Sequence, residues 1–178
     1  LPDTLQDVLL ARLEAETEAK QVAQVASVIG QTFRIGLVAE VGEVPIRQVE
    51  RGVQALNQAG LLIRLEDGGW EFRHVLLRDA AYGLLLKRAR QTLHQRVAEA
   101  LRRRQGGSHG EAPETLAYHL FHGCAPFDAA DCWRLAGERA LAQAAYAEAA
   151  HHLQQGLTAL DAAEGGRHSG LELTLQSL

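Results

Sequence analysis

The sequence predicts a mainly α-helical protein with one small β-hairpin. Three observations carry that prediction. Apolar residues recur at helical spacing through most of the 178 residues, the period shortens to two only around residues 61–74, and aromatics make up just 5% of a chain rich in alanine and leucine. Small and straight-chain side chains favour helix-on-helix packing, whereas β-sandwiches draw on aromatic and β-branched residues.

Leu5, Val8, Leu9 and Leu13 follow the capping residues Asp3 and Thr4 at helical spacing. A second helix is predicted over about 16–29, striped by Val22, Val25, Ala26 and Ile29 and closed by Gly30. A short third helix spans 33–41 and ends at Gly42. Pro45 opens a fourth, in which Ile46, Val49, Val53 and Leu56 line one side before Gly60. The apolar run 61–65, the turn residues Asp67-Gly68-Gly69, and Trp70 and Phe72 alternating with Glu71 and Arg73 then form the hairpin, with His74 at its end. Helices over about 75–86 and 88–104 follow. Helices leading to one at a recognition position, then a two-stranded wing, is the order of a winged helix, so 1–104 reads as a winged-helix-like module with flanking helices.

Gln105-Gly106-Gly107-Ser108-His109-Gly110 offers no apolar anchor, and 105–111 is predicted to be a linker. Beyond it, 112–178 reads as truncated tetratricopeptide-like helical hairpins. Helices are expected from Pro113 to about 122, over 129–145 and over 147–162, with a break at Gly165-Gly166 before a last helix near Leu171. The tetratricopeptide pattern W-x2-L-G-x2-Y, then alanine, then x3-F, is met by Trp133, Gly137 and Ala149. Leu153 stands in the phenylalanine slot, and Ala136 and Ala140 replace leucine and tyrosine. A lone repeat cannot bury its apolar face, so neighbours are expected on both sides.

The net charge of −4 gives no basic field for nucleic acid or an anionic membrane. Two cysteines, Cys124 and Cys132, make no disulfide framework, and no apolar run approaches the roughly 20 residues of a membrane span. A reducing cytoplasm is the expected compartment. Methionine is absent, the chain opens on Leu1-Pro2, and it stops at Leu178 within an apolar periodic stretch, so a fragment of a larger protein is expected. No G-x-x-x-x-G-K-[ST] occurs, and no serine, cysteine or carboxylate sits in a recognisable catalytic motif. The fragment is not expected to be an enzyme.

Four blocks carry a resemblance: Ala26-Ser-Val-Ile-Gly-Gln-Thr-Phe33; Phe72-Arg-His-Val-Leu-Leu-Arg-Asp-Ala-Ala-Tyr82; Leu93-His-Gln-Arg-Val-Ala-Glu-Ala-Leu101; and Ala136-Gly-Glu-Arg-Ala-Leu141 with Tyr146-Ala-Glu-Ala149. In this order they resemble the region downstream of the nucleotide-binding core in bacterial STAND (AAA-like) ATPases, of the type fused to adenylate or guanylate cyclase domains or to LuxR-type DNA-binding domains. The resemblance implies a regulatory arm that packs on an upstream nucleotide-binding domain of the same chain and binds a protein partner through its repeats. ATP or ADP and magnesium are then expected in the parent protein, and no cofactor in this fragment.

Within the second block, His74 through Asp79 looks like the Met-His-Asp motif of plant resistance proteins and apoptosome ATPases, with Arg73 and Val75 where methionine and aspartate would flank the histidine. The resemblance implies that His74 contacts the diphosphate of ADP. An imidazole at a helix N-terminus suits that role, since both attract phosphate. The alternative is a histidine that caps the helix or satisfies a wing carbonyl. Arg78 and Asp79, adjacent in sequence, are expected to face different directions and not to pair.

The basic run Lys87, Arg88, Arg90, Arg96, Arg102, Arg103 and Arg104 reads first as a solvated helix face, with its last arginines complementing the helix dipole, and second as a phosphate patch. The recognition-position helix offers Arg47, Gln48, Glu50, Arg51, Gln54, Asn57 and Gln58, a thin base-reading set, and the short wing turn Asp67-Gly68-Gly69 carries no cation. A DNA-binding regulator is therefore the alternative function, with DNA an unexpected partner. His119, His122, His151 and His152 with the two cysteines show no zinc-site spacing, so no metal is expected; these read as surface histidines and buried cysteines.

Overall fold

The computed structural model describes residues 17–104 and 112–176, with side chains described as far as 163. The predicted first helix over 5–13 and the linker over 105–111 lie outside the described residues. The chain divides into two compact units, Leu1–Ala100 and Leu101–Leu178. The protein is mainly helical, with one small antiparallel sheet.

In the first unit, α1 (Thr17–Ile29) buries Ala19, Val22, Ala23, Val25, Ala26 and Val28. Burial on so much of its surface follows from its place, since α2 (Ile35–Gly42), α3 (Ile46–Gln58) and α4 (Val75–Gly83) all pack against it. Each fully buried valine contributes roughly 1.5–3 kcal/mol to holding this arrangement. Gly52 of α3 lies close against α1. A Cβ added there would stand 2.7 Å from Val22 Cγ2 and 3.1 Å from the Glu18 carbonyl oxygen.

The sheet has three strands where the sequence suggests a two-stranded wing. Strands β1 (Thr32–Phe33), β2 (Leu62–Arg64) and β3 (Trp70–Phe72) lie in the order β1-β3-β2, all antiparallel. Phe33, expected to open a helix, pairs instead with Trp70. It is buried and tilts against Phe72 with centroids 5.6 Å apart. Two residues are too few for a period of two to show, and their partner lies some 40 positions away. The helix after it closes with Glu43, not Gly42, in the left-handed region (φ 52°, ψ 41°).

The wing turn follows its chemistry. The Asp67 carboxylate accepts the Gly69 N–H at 2.9 Å, Gly68 takes φ +81°, and Arg34 pairs with Asp67 at 2.7 Å. Helix, strand, two helices and two strands is the element order of a winged helix, with α3 at the recognition position. Helix α5 (Lys87–Arg104) follows α4, and the boundary between the units falls within it.

In the second unit, α6 (Pro113–His122) packs on α7 (Pro126–Ala142), and α7 packs on α8 (Tyr146–Gln176). Prolines open α6 and α7, where a missing N–H costs nothing. The break expected at Gly165-Gly166 does not occur, because the helical backbone runs through both glycines to Gln176. Each costs only about 1 kcal/mol relative to alanine, and no proline follows to deny the helix its hydrogen bonds.

Candidate functional site

The junction of wing and α4 is built by backbone pairing. Arg73 donates its amide to the Leu61 carbonyl at 3.0 Å and its Nε to the Gly60 carbonyl at 2.8 Å. His74 is thereby held extended (φ −140°, ψ 141°) at the N-cap position, where its carbonyl accepts the Leu77 amide at 3.0 Å. Its imidazole is exposed and makes no capping hydrogen bond. It is Arg73, not His74, that satisfies a carbonyl at this junction. Val75 and Leu76, exposed at 51% and 61%, stand beside it. An exposed imidazole beside a helix start with no side-chain cap fits one contact of an anion site.

Arg78 and Asp79, expected to point apart, are paired: Nη2 lies 2.6 Å and Nε 3.1 Å from Asp79 Oδ1. The arginine stem is long enough to bend across the angle that separates adjacent helix positions, and both groups sit near solvent.

The exposed side of α3 is partly committed to its own unit. Arg51 grips Glu18 through two hydrogen bonds, 2.8 Å and 3.1 Å, and Gln48 donates to Gln21 at 3.2 Å. The Arg51 guanidinium holds the Glu18 carboxyl below the ordinary range, and the carboxylate in turn raises Arg51. Arg47, Glu50, Gln54 and Gln58 line an open depression together with Arg51. A guanidinium engaged by a carboxylate of α1 reads a guanine edge only after that bond is broken.

Three arginines of the basic run on α5 are likewise engaged in local contacts. Arg90 donates to the Gly83 carbonyl at 3.0 Å and lies 4.6 Å from the centre of the Tyr82 ring. Arg96 pairs with Glu43 at 2.8 Å and donates to the Val41 carbonyl at 3.3 Å, tying α5 to the end of α2. Arg102 pairs with Asp128 at 2.6 Å in the second unit.

The four tetratricopeptide-like positions come together at the crossing of α7 and α8. A Cβ added to Gly137 would meet Leu153 Cγ at 2.8 Å, so glycine there makes room for the leucine. Ala149 is buried, with its carbonyl oxygen 3.5 Å from the same point, and Trp133 is buried and stacked on His152 at 5.4 Å. Two members escaped the sequence reading. Gly156 lies against Trp133 Cβ, 3.4 Å from where its own Cβ would be, and His152 is buried with Nε2 3.6 Å from Glu148. Their spacing from Ala149, at i+3 and i+7, was the available signal.

The histidines and cysteines depart from expectation. His119 is buried, not a surface residue, because it shares the inner face of α6 with Leu116 and Leu120. Burial, and then the neighbouring His122, push its imidazole down to about 4. Cys124 is exposed and Cys132 half-buried, where both had been expected inside. Cys124 occupies the left-handed residue of the α6–α7 turn (φ 64°), which turns its side chain outward. Among the described residues no group of histidine, cysteine and carboxylate could hold a metal ion, and no helix is long and apolar enough to cross a membrane.

No family model matches this chain, and no solved structure matches it. It is similar to an uncharacterized protein of Rhizobium meliloti (strain 1021), 26% identical over 156 residues that cover 85% of the chain. The chain spans only 15% of that protein's length.

Proposed function

We propose that this chain is a non-catalytic regulatory and protein-interaction segment of a larger STAND-type signalling ATPase. It couples nucleotide state, sensed by an upstream nucleotide-binding domain, to an effector such as a cyclase or a transcription regulator. The four ordered sequence blocks motivate the reading. The observation that carries it is His74: an exposed imidazole at the start of α4 that, among the described residues, makes no capping hydrogen bond. His74 would donate to the terminal phosphate of ADP and favour the closed state, with the α4 amides adding their dipole. The nucleotide itself, with magnesium, would be held by the upstream domain. The helical hairpins of the second unit would then relay that state or bind a protein partner through their surface. The commitment of Arg51 to Glu18 weighs against DNA reading by α3.

The test is nucleotide copurification with a polypeptide extended through the preceding domain, as wild type and as His74→Ala. ADP retained by the wild type and lost or weakened at least tenfold in the variant, about 1.4 kcal/mol, is the expected result. Equal retention would remove His74 from the mechanism. A polypeptide that binds no nucleotide at all would remove the ATPase reading.

A further inference from the structure

Helices α6, α7 and α8 follow one another through two turns of the same geometry. Cys124 and Ala144 take φ 64° and 58°, and each turn closes with a bond spanning five residues, Ala125 N–H to Leu120 O and Ala145 N–H to Ala140 O, both 2.9 Å. The helices that follow open alike, as Pro126-Phe-Asp128-Ala129-Ala130 and Tyr146-Ala-Glu148-Ala149-Ala150. Each position of α7 therefore has a counterpart on α8 twenty residues later.

That correspondence identifies a face. On α7, Ala130, Trp133 and Gly137 are the residues met by α8, and Ala140 beside them is buried. Their counterparts on α8 are Ala150, Leu153, Leu157 and Leu160. These form one helical stripe, yet Ala150 is exposed and the leucines are 38%, 56% and 39% exposed. Leu153 touches Gly137 on one side and faces out on the other. The face that receives the next helix on α7 is thus apolar and exposed on α8.

We infer that Ala150, Leu153, Leu157 and Leu160 are the seat of a further helix. It is supplied by the same polypeptide in the larger protein and lies antiparallel to α8, as α8 lies on α7. The inference rests on the proposal that this chain is a segment of a larger protein. Continuity of the α6–α7–α8 stack argues for this occupant, and the side chains specify its chemistry. At Gly137 the small residue belongs to α7 and the large one, Leu153, to its partner. At Leu157 and Leu160 the large residues belong to α8, so the arriving helix presents alanine or glycine opposite them and leucine or isoleucine to either side.

The experiment compares thiol alkylation of Leu157→Cys, in a Cys124→Ser, Cys132→Ser background, in the 178-residue chain and in the full-length parent protein. Thr158→Cys, on the far side of α8, serves as the open control, and Leu160→Cys repeats the test should the first variant misfold. The expected result is labelling of Leu157→Cys about tenfold slower or more in the full-length protein, with Thr158→Cys unchanged. Equal rates in the two proteins would overturn the inference. So would slowing that depends on the concentration of the 178-residue chain, which would assign the face to a second copy, or slowing that requires another added protein. Nucleotide copurification from the same full-length protein keeps the two proposals apart: protection without nucleotide leaves the helix seat standing while the ATPase reading falls.

Discussion

At the scale of single residues, the left-handed positions decide where helices stop. Glu43, Cys124 and Ala144 all take positive φ just past a helix end, a conformation that costs a side-chain-bearing residue about 1–2 kcal/mol. Ala144 is exposed and has no described polar side chain to lose, so Ala144→Gly should raise stability by about 1 kcal/mol, read as a shift in the urea midpoint at unchanged slope. Glu43→Gly should gain less, because Glu43 also pairs with Arg96. A histidine sets the acid limit of the same region. His119 sits at about 4 when folded against 6.5 in an unfolded chain. Above pH 6.5 both states are neutral. Between 6.5 and 4 the unfolded chain takes up the proton and the folded one does not, so stability falls by roughly 3 kcal/mol across that window. Denaturant midpoints of wild type and His119→Gln across pH 7 to 4 should converge as the pH drops, and parallel curves would contradict the assignment.

At the scale of elements, close helix approach at glycine organises both units. Gly52 lets α3 lie on α1 and Gly137 lets α7 receive Leu153. Alanine at Gly52 would gain about 1 kcal/mol of helix propensity, but its Cβ would press on Val22 Cγ2 and on the Glu18 backbone, which cannot swing aside. Overpacking of this kind typically costs about 1–3 kcal/mol. The net expectation is destabilisation by up to about 2 kcal/mol, visible as a lower melting temperature. Most helices were legible from apolar periodicity and from Pro, Gly and Asp at their ends. Strand β1 was not, because it exists only through pairing with β3, and α8 was cut short because Gly165-Gly166 mimicked a stop signal. The candidate positions Trp133, Gly137, Ala149 and Leu153 were legible as a pattern, while His152 and Gly156 became visible only once α7 lay against α8.

At the scale of the whole molecule, two compact units share one chain. Gly52→Ala should therefore speed amide exchange in α1, α3 and α4 and leave the protected amides of α7 and the first turns of α8 unchanged, a pattern that hydrogen-exchange mass spectrometry resolves. Uniform loss of protection would mean that the two units unfold as one.

What the sequence determined by itself is the class of the molecule: helical periodicity, turn chemistry and small-residue spacing are local properties, read within a few turns of chain. What only the tertiary structure decided is which polar groups are already spoken for. Arg51 is held by Glu18, Arg96 by Glu43 and Asp79 by Arg78, whereas His74 makes no capping bond and Leu157 is uncovered. Most of those facts depend on which elements pack together and the rest on how a long side chain folds, and periodicity along one chain records neither.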